Sequence, residues 1–272
     1  MQEYGVGIFT LAKTKSALKK ALKKKCITVN GEVATSATFI RGGEQLCLTF
    51  PKRIRQSKQL VFPLKVLFED EYLAIIHKPA GILVSGNKFK TVANALAQNL
   101  KQSSLDDATI AQPVHRLDYA TTGLLLIGKT SASIRVLNSL FAEHKIEKTY
   151  YAVTIGQMSP QGILQSELDG KYAAANYRVI STLASVRFGQ LNLVKLSPQT
   201  GRRHQLRKQL AALSNPILGD QYYGTEPLIL KGKGMYLHAH TLAFVHPFTG
   251  KECKVVSPCP PRFTKLFPGL VE

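Results

Sequence analysis

The segment Pro113-Val114-His115-Arg116-Leu117-Asp118-Tyr119-Ala120-Thr121-Thr122-Gly123-Leu124-Leu125-Leu126-Ile127-Gly128-Lys129 decides how the rest of the chain is read. Its first half gathers His, Arg and Asp within four residues and closes on Thr-Thr-Gly. Its second half is an unbroken apolar run, Leu124 to Ile127, which reads as a buried strand. A polar cluster at the start of such a strand places reactive side chains on a rigid element. Asp118 is the residue around which the chain is organised.

Working outward, strands are expected at Val66–Phe68 and Tyr72–Ile76, joined by the turn Glu69-Asp70-Glu71 and ending in His77-Lys78-Pro79-Ala80-Gly81. A helix is expected from Thr91 to Leu100, with Val92, Ala95, Leu96 and Leu100 on one side, then a polar loop over 101–111. Ser131–His144 reads as a helix with Ile134, Leu137, Leu140 and Phe141 on its apolar face, and Thr149–Ile155 as a strand. Tyr177–Leu183 and Leu191–Leu196 look like a strand pair. A basic helix, Arg202–Leu213, should bury Leu206, Leu210 and Leu213. Gly219–Gly224 is a loop, and a last strand, Met235–Val245, stops at His246-Pro247. Frequent strands with irregular connections indicate mixed α+β architecture rather than repeating βαβ units.

The charge restricts the partner. The 272 residues hold 36 Lys and Arg against 17 Asp and Glu, a net +19, which favours a polyanion, nucleic acid first. Residues 1–58 carry 12 of those cations and only 3 of the acids. No run is long enough to cross a membrane and no amphipathic helix with exposed aromatics suits a membrane surface. Cys26, Cys47, Cys253 and Cys259 match no paired metal-site spacing, and no secretory leader is visible at Met1, so reduced cytosolic thiols are expected, with neither disulfide nor zinc.

In the basic N-terminal fifth, Thr14 or Ser16 can cap a helix whose Ala17, Leu18, Ala21 and Leu22 recur at helical spacing among lysines. Ile27-Thr28-Val29, Asn30-Gly31 and Glu32-Val33 read as a hairpin. Phe39-Ile40, Gly42-Gly43 and Leu46-Cys47-Leu48 continue as strand, turn and strand. Lys15-Ser16-Ala17-Leu18-Lys19 with Ile27–Val33, after a short first helix around Gly7 to Leu11, resembles the S4 RNA-binding domain. That resemblance implies RNA contacts from Lys15 and Lys19.

On chemistry alone, Asp118 is a carboxylate at the mouth of a strand, Arg207 a helical cation able to pair with it, and Tyr150 an aromatic face for a base. His115, His204, His238, His240 and His246 form a second set. His238 and His240 alternate on a strand and could suit a metal, although strand-end histidines with satisfied hydrogen bonds are the simpler reading.

His115-Arg116-Leu117-Asp118-x-x-Thr121-Thr122-Gly123-Leu124-Leu125-Leu126 resembles the signature of RNA pseudouridine synthases of the RluA type. His77–Gly81 is similar to the family's first motif, Lys148-Thr149-Tyr150 to its K-x-Y, and Pro198-Gln199-Thr200-Gly201-Arg202-Arg203-His204-Gln205-Leu206-Arg207 to its P-x-TGR-x-HQLR. Gly219–Gly224 and Leu237-His238-Ala239 extend the likeness. The resemblance implies the pseudouridine synthase fold, a mixed and largely antiparallel sheet with a central cleft, over residues 63–272. A small S4-like α/β domain over 1–52 and a basic linker over 53–62 would precede it. The implied reaction detaches a uridine in structured RNA at its glycosidic nitrogen, turns the uracil and re-attaches it through carbon. Ribosomal RNA is the favoured substrate and transfer RNA the alternative. By matching positions, Asp118 is the essential carboxylate, Tyr150 stacks on the flipped base, Arg207 pairs with Asp118, Leu206 packs beside the ring and Arg116 lies near the nucleotide and its phosphates. No metal or other cofactor is implied, and a cytoplasmic monomer is expected. The rival readings are a non-catalytic RNA-binding or ribosome-associated protein that keeps the fold, and a metal-dependent hydrolase built on the histidines.

Overall fold

Thr14 caps the helix that the lysine-rich segment forms, α1 (Lys15–Lys23), its hydroxyl accepting from the Ala17 N–H at 3.1 Å. The computed structural model describes residues 1–9, 11–12, 14–49 and 60–269, in two compact units, Met1–Ser57 and Lys58–Glu272. In the first, Leu18, Ala21 and Leu22 are buried with Cys26 and Ile27. Strands β1 (Ile27–Val29) and β2 (Glu32–Val33) pair through Asn30 and Gly31, both at positive φ as a tight hairpin turn requires, and β3 (Leu46–Leu48) joins the other edge of β1. Two expectations fail here. Phe39-Ile40 is not a strand; it lies between two turns closed by side chains, where the Arg41 and Gly42 N–H groups donate to the Glu44 carboxylate at 2.8 Å, and the Thr35 N–H to Thr38 Oγ1 at 2.8 Å. The described residues between Gly7 and Leu11 form no helix either; the chain turns over residues 2–8 with Gly7 at φ +86°. Of the expected linker, residues 53–59 lie outside the described residues.

The second unit is built on one ten-stranded mixed sheet. In chain order it comprises β4 (Lys65–Glu69), β5 (Leu73–Lys78), α2 (Val92–Asn99), β6 (Ala108–Pro113), β7 (Thr122–Thr130), α3 (Ser131–Ala142), β8 (Glu147–Ile155), β9 (Gln161–Leu168), β10 (Lys171–Ser185), β11 (Gly189–Pro198), α4 (Gln205–Ala212), β12 (Leu237–Val245), β13 (Glu252–Val256) and α5 (Pro261–Leu266). The strands run β4-β5-β7-β12-β8-β11-β10-β9, with β6 also on β7 and β13 also on β12.

The apolar run of the opening segment is β7, fully buried from Leu124 to Ile127. Alternation sends its side chains into two cores. Leu124 and Leu126 meet Leu137 of α3 and Phe244 of β12, while Leu125 and Ile127 meet Val92, Ala95 and Leu96 of α2. A strand covered on both faces reads as a continuous hydrophobic run, and each buried Leu or Ile contributes about 1.5–3 kcal/mol. The two halves of the sheet join where β7 meets β12 in parallel, at His238 opposite Thr122 and Ala239 opposite Gly123. Gly123 has φ +115°, and a Cβ there would sit 2.1 Å from the Ala239 carbonyl oxygen, so the junction admits only glycine.

Several boundaries differ from the sequence reading. The 101–111 loop gives way at Ala108 to β6, which pairs irregularly with β7. The basic helix begins at Gln205 rather than Arg202, because His204 takes a left-handed conformation (φ 54°) that no helix continues through. Leu213, expected to be buried, is 45% exposed beyond its end. Strands β9 and β13 and helix α5 were not expected. No helix among the described residues is long and apolar enough to cross a membrane.

Candidate active-site cleft

At the junction of β7 and β12 lies a cleft of about 590 Å³. It is lined from β7's lead-in by Asp118, from β8 by Tyr150, from β12 by Leu237 and from α4 by Leu206 and Arg207. Five cationic side chains, Arg116, Lys148, Arg202, Arg203 and Arg207, line it against the single carboxylate of Asp118. The cleft therefore presents a field suited to an anion.

Asp118 is held from two directions. From the helix side, Arg207 Nη1 donates to Asp118 Oδ2 at 3.2 Å while its Nε and Nη2 donate to the two oxygens of Asp220 at 2.7 and 2.8 Å. The Asp220 side chain is fully buried. Burial works against its charge, but Arg207 and the N–H groups of Tyr222 and Tyr223 more than offset this and hold the carboxyl below its usual range. Arg207 is thus a fixed fork rather than a mobile surface cation.

From the sheet side, the buried Lys78 at the end of β5 clamps the turn that carries Asp118. Its Nζ donates to the carbonyls of Pro79 (2.9 Å), Tyr119 (3.3 Å) and Thr121 (2.9 Å). The Thr121 N–H closes the turn onto the Asp118 carbonyl at 3.1 Å. Burial lowers the Lys78 ammonium to about 8, with Asp118 opposing the shift.

Three other groups shape the cleft. His204 Nε2 stands 3.7 Å from Asp118 Oδ1, and its Nδ1 meets Tyr223 Oη at 3.0 Å. Burial, aided by Arg207 and Arg203 and opposed by Asp118, keeps this imidazole below its usual pKa. His115 Nε2 accepts the Leu126 N–H at 2.9 Å and its ring stacks on Phe141, centroids 4.6 Å apart. Burial, with Lys148 adding to it, lowers His115 to about 3, so it is a neutral strut. The Tyr150 phenol is pushed well above its usual value, first by burial and then by Asp118, so it stays protonated.

The structure therefore brings Arg116, Asp118, Tyr150, Leu206 and Arg207 to one cleft, and the Asp118–Arg207 pair forms. Lys15 and Lys19 are exposed on α1 of the N-terminal unit, Lys15 pairing with Glu3 at 3.2 Å. Sequence reasoning gave no role to Lys78 or Asp220 and offered His115 and His204 only within the histidine set, although all four fall within the motifs it singled out. His238, offered as a metal ligand, uses both nitrogens at the strand junction, accepting from Thr122 Oγ1 at 2.8 Å and donating to the Ser257 carbonyl at 2.9 Å.

The mixed sheet and its cleft are similar to those of solved pseudouridine synthase structures. The human protein titled RNA Pseudouridylate Synthase Domain Containing 4 superposes with a TM-score of 0.60 at 25% identity, covering 75% of this chain and 92% of its own. Human RNA Pseudouridylate Synthase Domain Containing 1 gives 0.62 at 21% identity, over 75% of this chain and 86% of that one. The RNA pseudouridylate synthase family model matches residues 72–212. Ribosomal large subunit pseudouridine synthase C of Rickettsia conorii is 31% identical over 93% of this chain and 91% of its own length. Ribosomal large subunit pseudouridine synthase D of Nitrosomonas europaea is 31% identical over 94% and 80%. The chain belongs to the RNA pseudouridylate synthase family.

Proposed function

We propose that this enzyme isomerises uridines of large-subunit ribosomal RNA to pseudouridine, with Asp118 as the essential carboxylate. The observation that carries the reading is the Asp118–Arg207–Asp220 arrangement in a cationic cleft. The isomerisation breaks the bond from C1′ to N1 and makes the bond from C1′ to C5, so a proton leaves C5 and one is gained at N1. No atom is imported. What the site must supply is a carboxylate fixed beside a base taken out of its stack, and charge to hold the distorted strand. Arg207, itself clamped by Asp220, orients Asp118. Tyr150, protonated and half-buried, serves as a stacking face, Leu206 packs beside it, and Arg116 takes a phosphate.

The expected result for Asp118→Asn is a loss of pseudouridine formation by roughly 10²–10⁴-fold or more, with RNA binding retained. It is measured by nucleoside analysis of large-subunit ribosomal RNA incubated with each protein. A variant as fast as the parent, or a parent that forms no pseudouridine on this RNA, would sink the reading.

The N-terminal unit is read as an S4-like RNA-binding domain joined by a basic linker to the catalytic unit, on the strength of its exposed lysines and its α1–β1–β2 order. Action on ribosomal RNA as a cytoplasmic monomer goes with that reading. Replacing Lys15 and Lys19 together by Gln is expected to flatten the plot of log affinity against log salt by roughly 1 to 2. An unchanged slope in a binding titration would remove these lysines from the RNA contact.

A further inference from the structure

Exposed aromatic rings are few in the catalytic unit, and they are unevenly placed. Among its described Phe and Tyr residues only Phe89, Tyr119, Tyr172 and Tyr222 are exposed. Three of these four are anchored by a cleft residue or by one of the groups that clamp Asp118 in the cleft. Tyr119 directly follows Asp118, and its carbonyl accepts from Lys78 Nζ and from the Gly81 N–H at 2.9 Å. The Tyr172 carbonyl accepts from Arg202 Nε at 3.1 Å. The Tyr222 N–H donates to Asp220 at 3.0 Å, and its ring lies 5.7 Å from the Arg207 guanidinium carbon. Each backbone is held by one of these groups while 57, 58 and 83% of the respective residue stays open to solvent. Nothing in the reaction at Asp118 uses these rings.

An isolated exposed tyrosine needs no explanation. Three whose backbones are tied to residues that line one cationic cleft or clamp its carboxylate are a different matter. A Tyr ring on a fixed backbone has only two side-chain torsions to lose on binding, so it gives flat contact area at low entropic cost. Its partner must offer flat faces together with negative charge, because Arg116, Arg202 and Arg203 line the cleft and the Tyr222 ring lies against Arg207. Unpaired nucleotides meet both requirements. Nucleotides inside a duplex do not, since their faces are already stacked.

We propose that Tyr119, Tyr172 and Tyr222 form an aromatic rim that stacks on unpaired nucleotides flanking the target uridine. The enzyme then takes its substrate as a locally opened, single-stranded stretch rather than from a continuous helix. This rests on the RNA reading above and adds to it the form of the RNA that the cleft accepts.

The test uses the full chain and two fluorescein-labelled probes: an RNA hairpin with a uridine-rich loop, and the same loop sequence annealed to its complement. Each Tyr→Ala substitution is expected to weaken hairpin binding by roughly five- to a hundredfold, the range of one lost base stack. Tyr→Phe should bind as the parent does, the salt slope should not change, and duplex binding should be little affected. On large-subunit ribosomal RNA the loss should fall on KM. The rim is refuted if the Ala variants hold the hairpin as tightly as the parent, if Phe and Ala lose equally, or if hairpin and duplex lose equally. The two readings fail separately. Pseudouridine formation with Tyr-independent binding sinks the rim alone, whereas Tyr-dependent hairpin binding without pseudouridine sinks the catalytic reading alone.

Discussion

Arg207→Ala is expected to lower the free energy of unfolding by about 3–5 kcal/mol, the cost of breaking a buried ion pair from one side. The Arg207 and Asp220 side chains are 6% and 0% exposed, so water cannot replace the two bonds at 2.7 and 2.8 Å. The truncation leaves the Asp220 carboxylate uncompensated, with only the N–H groups of Tyr222 and Tyr223. Urea denaturation provides the measurement and a second substitution the control. Asp220→Asn added to Arg207→Ala should recover much of the stability, because a neutral amide is cheaper to bury and its oxygen can still accept from those N–H groups. Activity should stay lost, since Asp118 keeps no guanidinium. Arg207→Lys should also fail, because one ammonium cannot reproduce a fork with two bonds to one carboxylate and a third to another. If Arg207→Ala unfolds like the parent, or if the double variant is no more stable than the single one, the clamp is not the element that holds this site.

The Asp118–Arg207 pair was within reach of the sequence because it needs only a lone carboxylate before a buried strand and a cation on a basic helix. Asp220 was not. A Gly-Asp dipeptide opening a Tyr-rich turn reads as turn chemistry, and only the fold brings it under α4 to meet Arg207, 13 residues away. Lys78 was hidden for a related reason. A lysine ending a strand is ordinarily a solvated cation, and its three acceptors include two that lie 41 and 43 residues further on. The core strand β7 was legible because burial on both faces leaves an unbroken apolar run. The edge strand β9 was not, because its burial alternates over Gly162, Ile163, Gln165 and Ser166 without an apolar period. The basic helix starts three residues later than its charge pattern predicts, since nothing in Arg202-Arg203-His204 announces a left-handed His. The glycine requirement at Gly123 depends on Ala239, more than a hundred residues away. Patterns within a strand or a helix survive in sequence; what positions Asp118 is assembled across the sheet and does not.

Lys78→Met is expected to lower kcat by about a hundredfold, the loss typical of a reacting group misplaced by roughly 1 Å. The substitution keeps the volume and removes three charge-assisted hydrogen bonds, two of them to carbonyls of the turn Asp118–Thr121. Its effect on stability should be smaller, because burying an ammonium is itself costly and Met escapes that cost while it loses the bonds. The pH dependence separates the two effects. Burial lowers the folded Lys78 to about 8 from the ordinary 10.5. Between those values the unfolded chain binds one more proton than the folded one, so this group alone makes stability rise with pH. Over the same range the folded amine loses a proton and has two N–H donors left for three carbonyls. The turn therefore loosens while the fold gains. The parent's kcat should fall above pH 8 as its urea midpoint gains from this group, and the fall should be absent in Lys78→Met. A variant with the parent's kcat, or one that keeps the same alkaline fall, would show that the turn holds Asp118 in place without Lys78.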